Sequence, residues 1–531
     1  MHFLRDCLFL ARSKCAVFCV LLASILSGCS DASKTSYNSS EHSAKRFDCT
    51  SADAFHANDG ALKLHRRSSI IDRRGKVLAY DEPVTVAKID LSEIESQDKT
   101  LQSLSQLVPE VGELDLTSTS DVNNEFTIPV SFDQYEALKT LNLSGVELVS
   151  TSQRTYPYAP TISHFIGTVD ERYCGVSGLE KFFNHQLESG VNPLQISLDL
   201  NVQSILLEVL EETVFEWEAE AGVAILLDVN TSEIVGMTSL QKTSSNRQHQ
   251  NLATQSTYEF GSLFKVFAIA SALENQVTNL DDEIDVTELK IDGVTIRDWW
   301  PHSGSMNPKE ILSESSNVGA AKLALRLPVG EQQRFLKSMG LLDNLHIELS
   351  ENEPSNYPSI WDEMAVVTVS FGHGISVTPL HLINAFSSVV NGGEYLPATL
   401  LKSQANGRRE EATRVISETT SDQLVKMLEF TVYDGTGSNA ASEVYRVGGK
   451  TGTAEKPTDE GYVSDARIAS FMGAFPIDDP RYAVLVMIDE PKPQEYSYGY
   501  ATGGWVAAPA FKNIVERVGP ILQLPSMHKD Q

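Results

Sequence analysis

The sequence predicts a mixed α/β protein, and three observations carry that prediction. Residues 202–218 repeat apolar side chains at Val202, Ile205, Leu206, Val209, Leu210, Val214 and Phe215, the one-sided stripe of a helix. Ala221–Asp228 is an unbroken apolar run of strand length that turns through Asn230, Thr231 and Ser232 into Glu233–Met237. Far along the chain, Ile468–Ala474 and Tyr482–Ile488 are again strand-like, and Pro509 opens a last helix with Phe511, Ile514, Val515 and Val518 on one side. Strands at both ends of this stretch, with helices between, predict one sheet closed by both of its termini.

That domain is taken as 193–520, and the rest of the chain is arranged around it. With 531 residues the chain is too long for one ordinary domain. Residues 1–28 have the pattern of an export signal or membrane anchor: Arg5, Arg12 and Lys14 lead into the apolar run Cys15–Leu26. That run is short against the roughly 20 residues of a spanning helix. Two readings stand. Leu26-Ser27-Gly28-Cys29 resembles a bacterial lipobox, with Cys29 as the lipid-bearing residue; alternatively the run is an uncleaved single-span anchor and Cys29 is incidental. Both put the body outside the cytoplasm. Residues 29–60 are polar and aperiodic, a tether. Residues 61–192 mix short strand-like runs, Val84–Ile89 and Val146–Val149, with polar loops, and 521–531 form a tail. Of the 6 cysteines, only Cys49 and Cys174 lie beyond the signal; in an oxidising compartment a bridge between them and two free thiols are both open.

The formal net charge of −29 argues against nucleic acid, whose phosphates need a basic face. A solvated, soluble surface accounts for it more simply than an acidic docking site does. The 12 histidines form no paired metal motif, so no metal is expected. Trp299, Trp300 and His302 sit together and suit packing at a cleft rim better than ligand duty. No phosphate loop is present, and no cofactor is called for.

Three short motifs carry chemistry. Ser262-Leu263-Phe264-Lys265 is an S-x-x-K at the start of a predicted helix, where positions three apart share a face. A serine hydroxyl needs a base, and a desolvated lysine can serve. Alone this is weak, because Ser96–Lys99, Ser239–Lys242 and Ser526–Lys529 match the same pattern. Ser315-Ser316-Asn317 is an S-x-N before the helical Val318–Leu325; Ser315 suits proton relay and Asn317 suits a peptide backbone, while a plain helix cap explains the same residues. Lys450-Thr451-Gly452-Thr453 suits a carboxylate beside a strand edge that glycine leaves open, although a solvated lysine at an ordinary turn reads equally well.

Together and in this order, the three motifs resemble the signature of penicillin-binding proteins and serine β-lactamases. From about residue 66 to 519 the chain resembles class B penicillin-binding proteins. Arg67–Gly75 (RSSIIDRRG) is similar to the family's entry into its pedestal; Arg154, Tyr156-Pro157, His164, Gly167 and Gly178-Leu179-Glu180 are similar to the stretch before the catalytic domain. Phe371-Gly372, Thr378-Pro379-Leu380 and Asn391-Gly392-Gly393 resemble a later segment, while Ser470-Phe471 and Gly504–Pro509 resemble the division-specific, septal members. Two departures stand out: Leu263 where a threonine or small residue is usual, and Ser68 where the entry motif has glycine.

The resemblance implies a transpeptidase fold, a central antiparallel sheet flanked by helices, with a mixed N-terminal pedestal of the dimerisation type. It implies a peptidoglycan D,D-transpeptidase that cross-links stem peptides through an acyl-enzyme during cell division and is a target of β-lactams. Ser262 would attack, Lys265 would take the proton and Ser315 would relay it. Asn317, Lys450, Thr451, Gly452 and Thr453 would bind substrate. The implied setting is the inner membrane, facing the periplasm, with division-complex partners including a lipid-II polymerase. An elongation-type transpeptidase and a serine β-lactamase are the alternatives. Against the latter, no E-x-x-L-N follows the S-x-N, and over a hundred residues go to a pedestal that such enzymes lack.

Overall fold

A computed structural model describes residues 67–94, 97–109, 125–170, 172–242, 250–403, 408, 411–458 and 461–527. The signal or anchor at 1–28, Cys29, the tether at 29–60 with Cys49, and the last residues of the tail lie outside the described residues. Cys174 is disulfide-bonded.

The N-terminal part is built on one long strand, β1 (Val77–Asp90), which pairs antiparallel with β2 (Glu125–Pro129) and β3 (Val146–Thr155). Alternation along β1 turns Ala87 and Ile89 inward, where they pack with Ile128 and with Leu138 of α1 (Phe132–Leu141). Helix α1 is bounded by its own chemistry: Ser131 and Gln134 form a reciprocal capping box, and Asn142 ends the helix in the left-handed conformation. The short strand Ile70–Ile71 pairs with β1 and, in parallel, with Leu194–Gln195, so the chain enters and leaves this part through one sheet.

The C-terminal part begins with α2 (Leu200–Glu216), capped by Asp199. The apolar stripe predicts two further residues. The helix stops short of them because Glu218 takes a left-handed φ of 48° and the Ala219 N–H turns back to the Val214 carbonyl. Five strands follow: β4 (Ala221–Asp228), β5 (Ile234–Gln241), β6 (Gly448–Thr458), β7 (Gly461–Phe475) and β8 (Tyr482–Asp489). They pair antiparallel in the order β6-β7-β8-β4-β5. The late strand β8 therefore lies against the early strand β4, the closure by both termini that the pattern predicts.

Both faces of this sheet are covered, which explains why antiparallel strands carry unbroken apolar runs rather than alternation. Val223, Ile225 and Leu227 of β4 face one apolar cluster, which includes α3 (Lys265–Glu274) and α7 (Pro379–Val390). Ala224 and Leu226 face the other, made by α2 and α9 (Ala507–Ile521). Between α3 and α7 run α4 (Pro308–Ser313), α5 (Asn317–Leu325) and α6 (Glu363–Ser370), and α8 (Glu418–Asp434) precedes β6. Pro509 is the third residue of α9, not its first; N–H groups of the first turn have no intrahelical acceptor, so proline removes no hydrogen bond there.

Candidate active site

Three chain segments converge, one of them the edge strand β6. The first is a 3-10 turn, Gly261–Phe264, that runs directly into α3. Gly261 holds φ at +54°, and a Cβ there would lie 2.6 Å from the Thr453 carbonyl oxygen, so only glycine lets this turn lie against β6. Ser262 and Lys265 then fall one turn apart, with Lys265 Nζ 2.8 Å from Ser262 Oγ. Leu263, between them, is fully buried in the core.

The second segment is the turn between α4 and α5. Ser315 adopts a left-handed φ of 63°, which aims both its carbonyl and its hydroxyl at Lys265, 2.6 and 3.0 Å from Nζ. Ser316 is the cap of α5, accepting from the Gly319 N–H, and Asn317 is the first residue of that helix. The plain cap reading of the motif thus applies to Ser316, leaving Ser315 and Asn317 facing the cleft.

The third segment is β6 itself. Lys450 is fully buried, with Nζ 3.1 Å from the Thr451 carbonyl, 3.2 Å from Thr451 Oγ1 and 3.5 Å from Thr436 Oγ1. At Gly452 a Cβ would stand 2.4 Å from Ser470 Oγ, 2.6 Å from the Phe260 carbonyl and 2.8 Å from Leu263 Cγ. The strand packs on the nucleophile turn because that Cβ is missing. Thr453 Oγ1 accepts the Gly503 N–H at 3.0 Å.

These side chains surround a cleft of about 720 Å3 lined by Ser262, Ser315, Asn317, Thr451 and Thr453, with Lys265 and Lys450 buried at its base. Every catalytic and substrate-binding candidate named from the sequence lies in this one place; Cys29 alone lies outside the described residues. Trp299, Trp300 and His302 line the cleft, and the Arg467 guanidinium sits 6.0 Å from the Trp299 ring. Asp298, Glu314 and Thr436 also line it and were missed from sequence. Asp298 had only its place beside the tryptophans as a signal, and Thr436, in a glycine-flanked turn, had none.

The electrostatics follow from burial. Desolvation pushes the Lys265 amine well below the usual lysine range; the neighbouring Lys450 adds to this and Asp298 opposes it. Desolvation also lowers Lys450, to about 7, against the pull of Glu314. His373, on the cleft wall, is lowered by burial and then by Lys265. An amine that sheds its proton readily, in contact with a serine hydroxyl, is a base beside a nucleophile. Among the described residues there is no group of three or more His, Cys, Asp or Glu that could hold a metal ion.

The chain is similar to known proteins in sequence and in fold. Residues 222–516 match the penicillin binding protein transpeptidase domain, and 64–201 match the penicillin-binding protein dimerisation domain. A probable peptidoglycan D,D-transpeptidase FtsI of Caulobacter vibrioides is 34% identical over 479 residues, covering 86% of this chain and 81% of that protein. The apo transpeptidase domain of Burkholderia pseudomallei penicillin-binding protein 3 superposes with a TM-score of 0.57 at 30% identity, covering 63% of this chain and 98% of that one. Penicillin-binding protein 3 of Mycobacterium tuberculosis, complexed with aztreonam, shares the fold with a TM-score of 0.68 at 22% identity, over 88% of this chain and 98% of that one. A serine in contact with a buried lysine, in a turn packed against an antiparallel sheet, with both domain matches in sequence and relatives along most of its length, places the chain in the class B penicillin-binding protein family, among the septal peptidoglycan D,D-transpeptidases.

Proposed function

We propose that this chain cross-links peptidoglycan stem peptides during cell division by acyl transfer through Ser262. The observation that carries the reading is the position of Lys265: its amine is fully buried, 2.8 Å from Ser262 Oγ and 3.0 Å from Ser315 Oγ. Lys265 takes the Ser262 proton as Oγ attacks the carbonyl of the penultimate D-alanine. Ser315 passes a proton to the departing amine of the terminal D-alanine. Backbone N–H groups of Ser262 and Thr453 stabilise the oxyanion. Thr451 and Thr453, with the charge of Lys450, hold the substrate's terminal carboxylate, Gly452 lets the substrate backbone lie along β6, and Asn317 orients the stem peptide. An amine of a neighbouring strand then attacks the acyl-enzyme and restores the serine.

β-Lactams, on this reading, acylate the same serine and stall; the aztreonam complex of the mycobacterial relative supports this. The work divides between a pedestal at 61–192 and a transpeptidase domain at 193–520. The body faces the periplasm at the inner membrane, held by residues 1–28 or a lipidated Cys29, with a lipid-II polymerase among its division partners. Among the described residues no helix is long and apolar enough to cross a membrane. Fluorescent penicillin is expected to label the purified chain covalently, and Ser262→Ala to abolish the label without changing the melting temperature. Label that persists in that variant rules out Ser262 as the nucleophile.

A further inference from the structure

We propose that Asp298 is a positioning residue for this reaction: its carboxylate clamps the turn at Ser315–Asn317 and so brings both oxygens of Ser315 onto Lys265. The inference rests on the roles of Ser262 and Lys265 given above. Asp298 follows the short strand Val294–Ile296 and lines the cleft. One carboxylate oxygen accepts the Ser316 hydroxyl at 2.7 Å, and the other accepts the Val318 N–H at 3.0 Å. Ser316 is fully buried, and its oxygen accepts in turn from the Gly319 N–H at 2.9 Å. One residue earlier, the Arg297 carbonyl lies 3.5 Å from Asn317 Nδ2. Residues 297 and 298 therefore grip 316, 317 and 318 in succession.

Ser315 stands immediately before this grip, and it is the residue with the left-handed φ of 63°. For a residue with a Cβ that conformation is unfavourable. It persists where the surroundings over-determine it, and the anchored turn that follows is what does so here. The anion also sits at the amino end of α5, where the helix dipole favours it. Without the carboxylate, Ser316 and Val318 lose their hydrogen bonds to residue 298, the turn keeps the Asn317–Arg297 contact and the Ser316 N–H bond to the Ile311 carbonyl, and Ser315 can relax away from Lys265.

Asp298 is, in addition, a negative group acting on the Lys265 amine; among the described residues Lys450 from β6 and His373 from the turn after α6 also interact with it, and Glu314, beside Ser315 in the same cleft, acts on Lys450. Losing that charge lets Lys265 shed its proton at lower pH. The test is the rate of acylation by fluorescent penicillin across pH, for the full chain, Asp298→Ala and Asp298→Asn. Asp298→Ala should slow acylation at every pH by about 10²-fold, the scale of a displacement near 1 Å. Asp298→Asn keeps an acceptor for the Val318 N–H and should retain most of the rate, while the acid limb of its profile moves to lower pH. A purely structural role does not move that limb. Asp298→Ala labelled at the unaltered rate, or an Asp298→Asn profile that overlays the parent's, overturns the proposal; if the alanine variant does not fold, the asparagine profile decides. A parent chain that takes no label overturns instead the reading on which the proposal rests.

Discussion

Burial sets Lys450 against itself. The side chain is fully buried, and its hydrogen-bond partners are threonine oxygens and a backbone carbonyl. Its amine is accordingly lowered to about 7, mainly by desolvation. Between that value and the ordinary 10.5 the unfolded chain binds the proton that the folded chain has released, so this residue makes stability rise with pH across that window. Its destabilising effect is present in full below about 7. Activity runs the other way, because the protonated form is the one that attracts a carboxylate. The second-order rate of penicillin acylation, which reports the free enzyme, should fall as pH rises through about 7. Lys450→Met fills nearly the same volume without a charge. It should raise the melting temperature measured near pH 6 while acylation drops by orders of magnitude, the exchange of stability for function that active sites commonly show. A melting temperature that falls in this variant would show that the buried amine stabilises the fold.

At the scale of elements, the site depends on how closely β6 approaches the turn before α3. Gly452→Ala puts a methyl within 2.4 to 2.8 Å of Ser470 Oγ, the Phe260 carbonyl and Leu263 Cγ, and two of these belong to that turn. Overpacking of this kind costs typically about 1–3 kcal/mol, and the relief available is for β6 to swing away from Ser262. Urea denaturation should show the loss, and penicillin labelling should slow even where the variant is fully folded; an unaltered labelling rate would mean that strand and turn move together. Much of the sheet and its first helix was legible in the sequence, since β4, β8, α2 and the later half of β7, Ile468–Ala474, announce themselves by local apolar pattern, while β7 itself begins at Gly461. Strand β1 was legible only in part. The pattern predicts a strand at Val84–Ile89, but it begins at Val77, because Asp81, Glu82 and Pro83 are held by pairing to β3 and face no apolar cluster. The candidate site was legible because its three motifs are each local. Asp298 and Thr436 were not, since what gives them a role is a partner in a different segment: Ser316 across a loop, and Lys450 across the turn between α8 and β6.

Across the whole molecule, a cluster of buried ions joins segments far apart in sequence. Arg67 meets Glu180 at 2.6 Å, Arg154 meets the other oxygen of Glu180 at 2.8 Å, and Arg154 also meets Asp81 at 3.0 Å. Both guanidiniums and the Glu180 carboxylate are almost wholly shielded from water, and Arg67 donates further to the Tyr173 carbonyl and the Asn184 side chain. The entry segment, β1, β3 and the helix containing Glu180 are thereby fixed to one another. Nearby, Arg74 pairs with Asp199 at the start of α2 and donates to the Ile521 carbonyl at the end of α9, which ties the same entry segment to the catalytic sheet's helical layer. Burying such ions is costly in itself, so their presence is not evidence of net stabilisation; removal of one member is the informative change, because it strands the others. Glu180→Gln leaves the Arg154 guanidinium with Asp81 and the buried Arg67 guanidinium with neutral acceptors, and a loss of roughly 3–5 kcal/mol is expected. One face of the catalytic sheet shares its apolar cluster with Ile70, Leu78, Leu179 and Leu187, while the other is covered by α2 and α9, and none of these ions reaches the cleft. Thermal melting of Glu180→Gln should therefore fall by many degrees, or split into two transitions with the pedestal melting first, while penicillin labelling well below the first transition keeps its parent rate. Labelling that declines in step with the pedestal signal would show that the ion cluster holds the active site in shape from a distance.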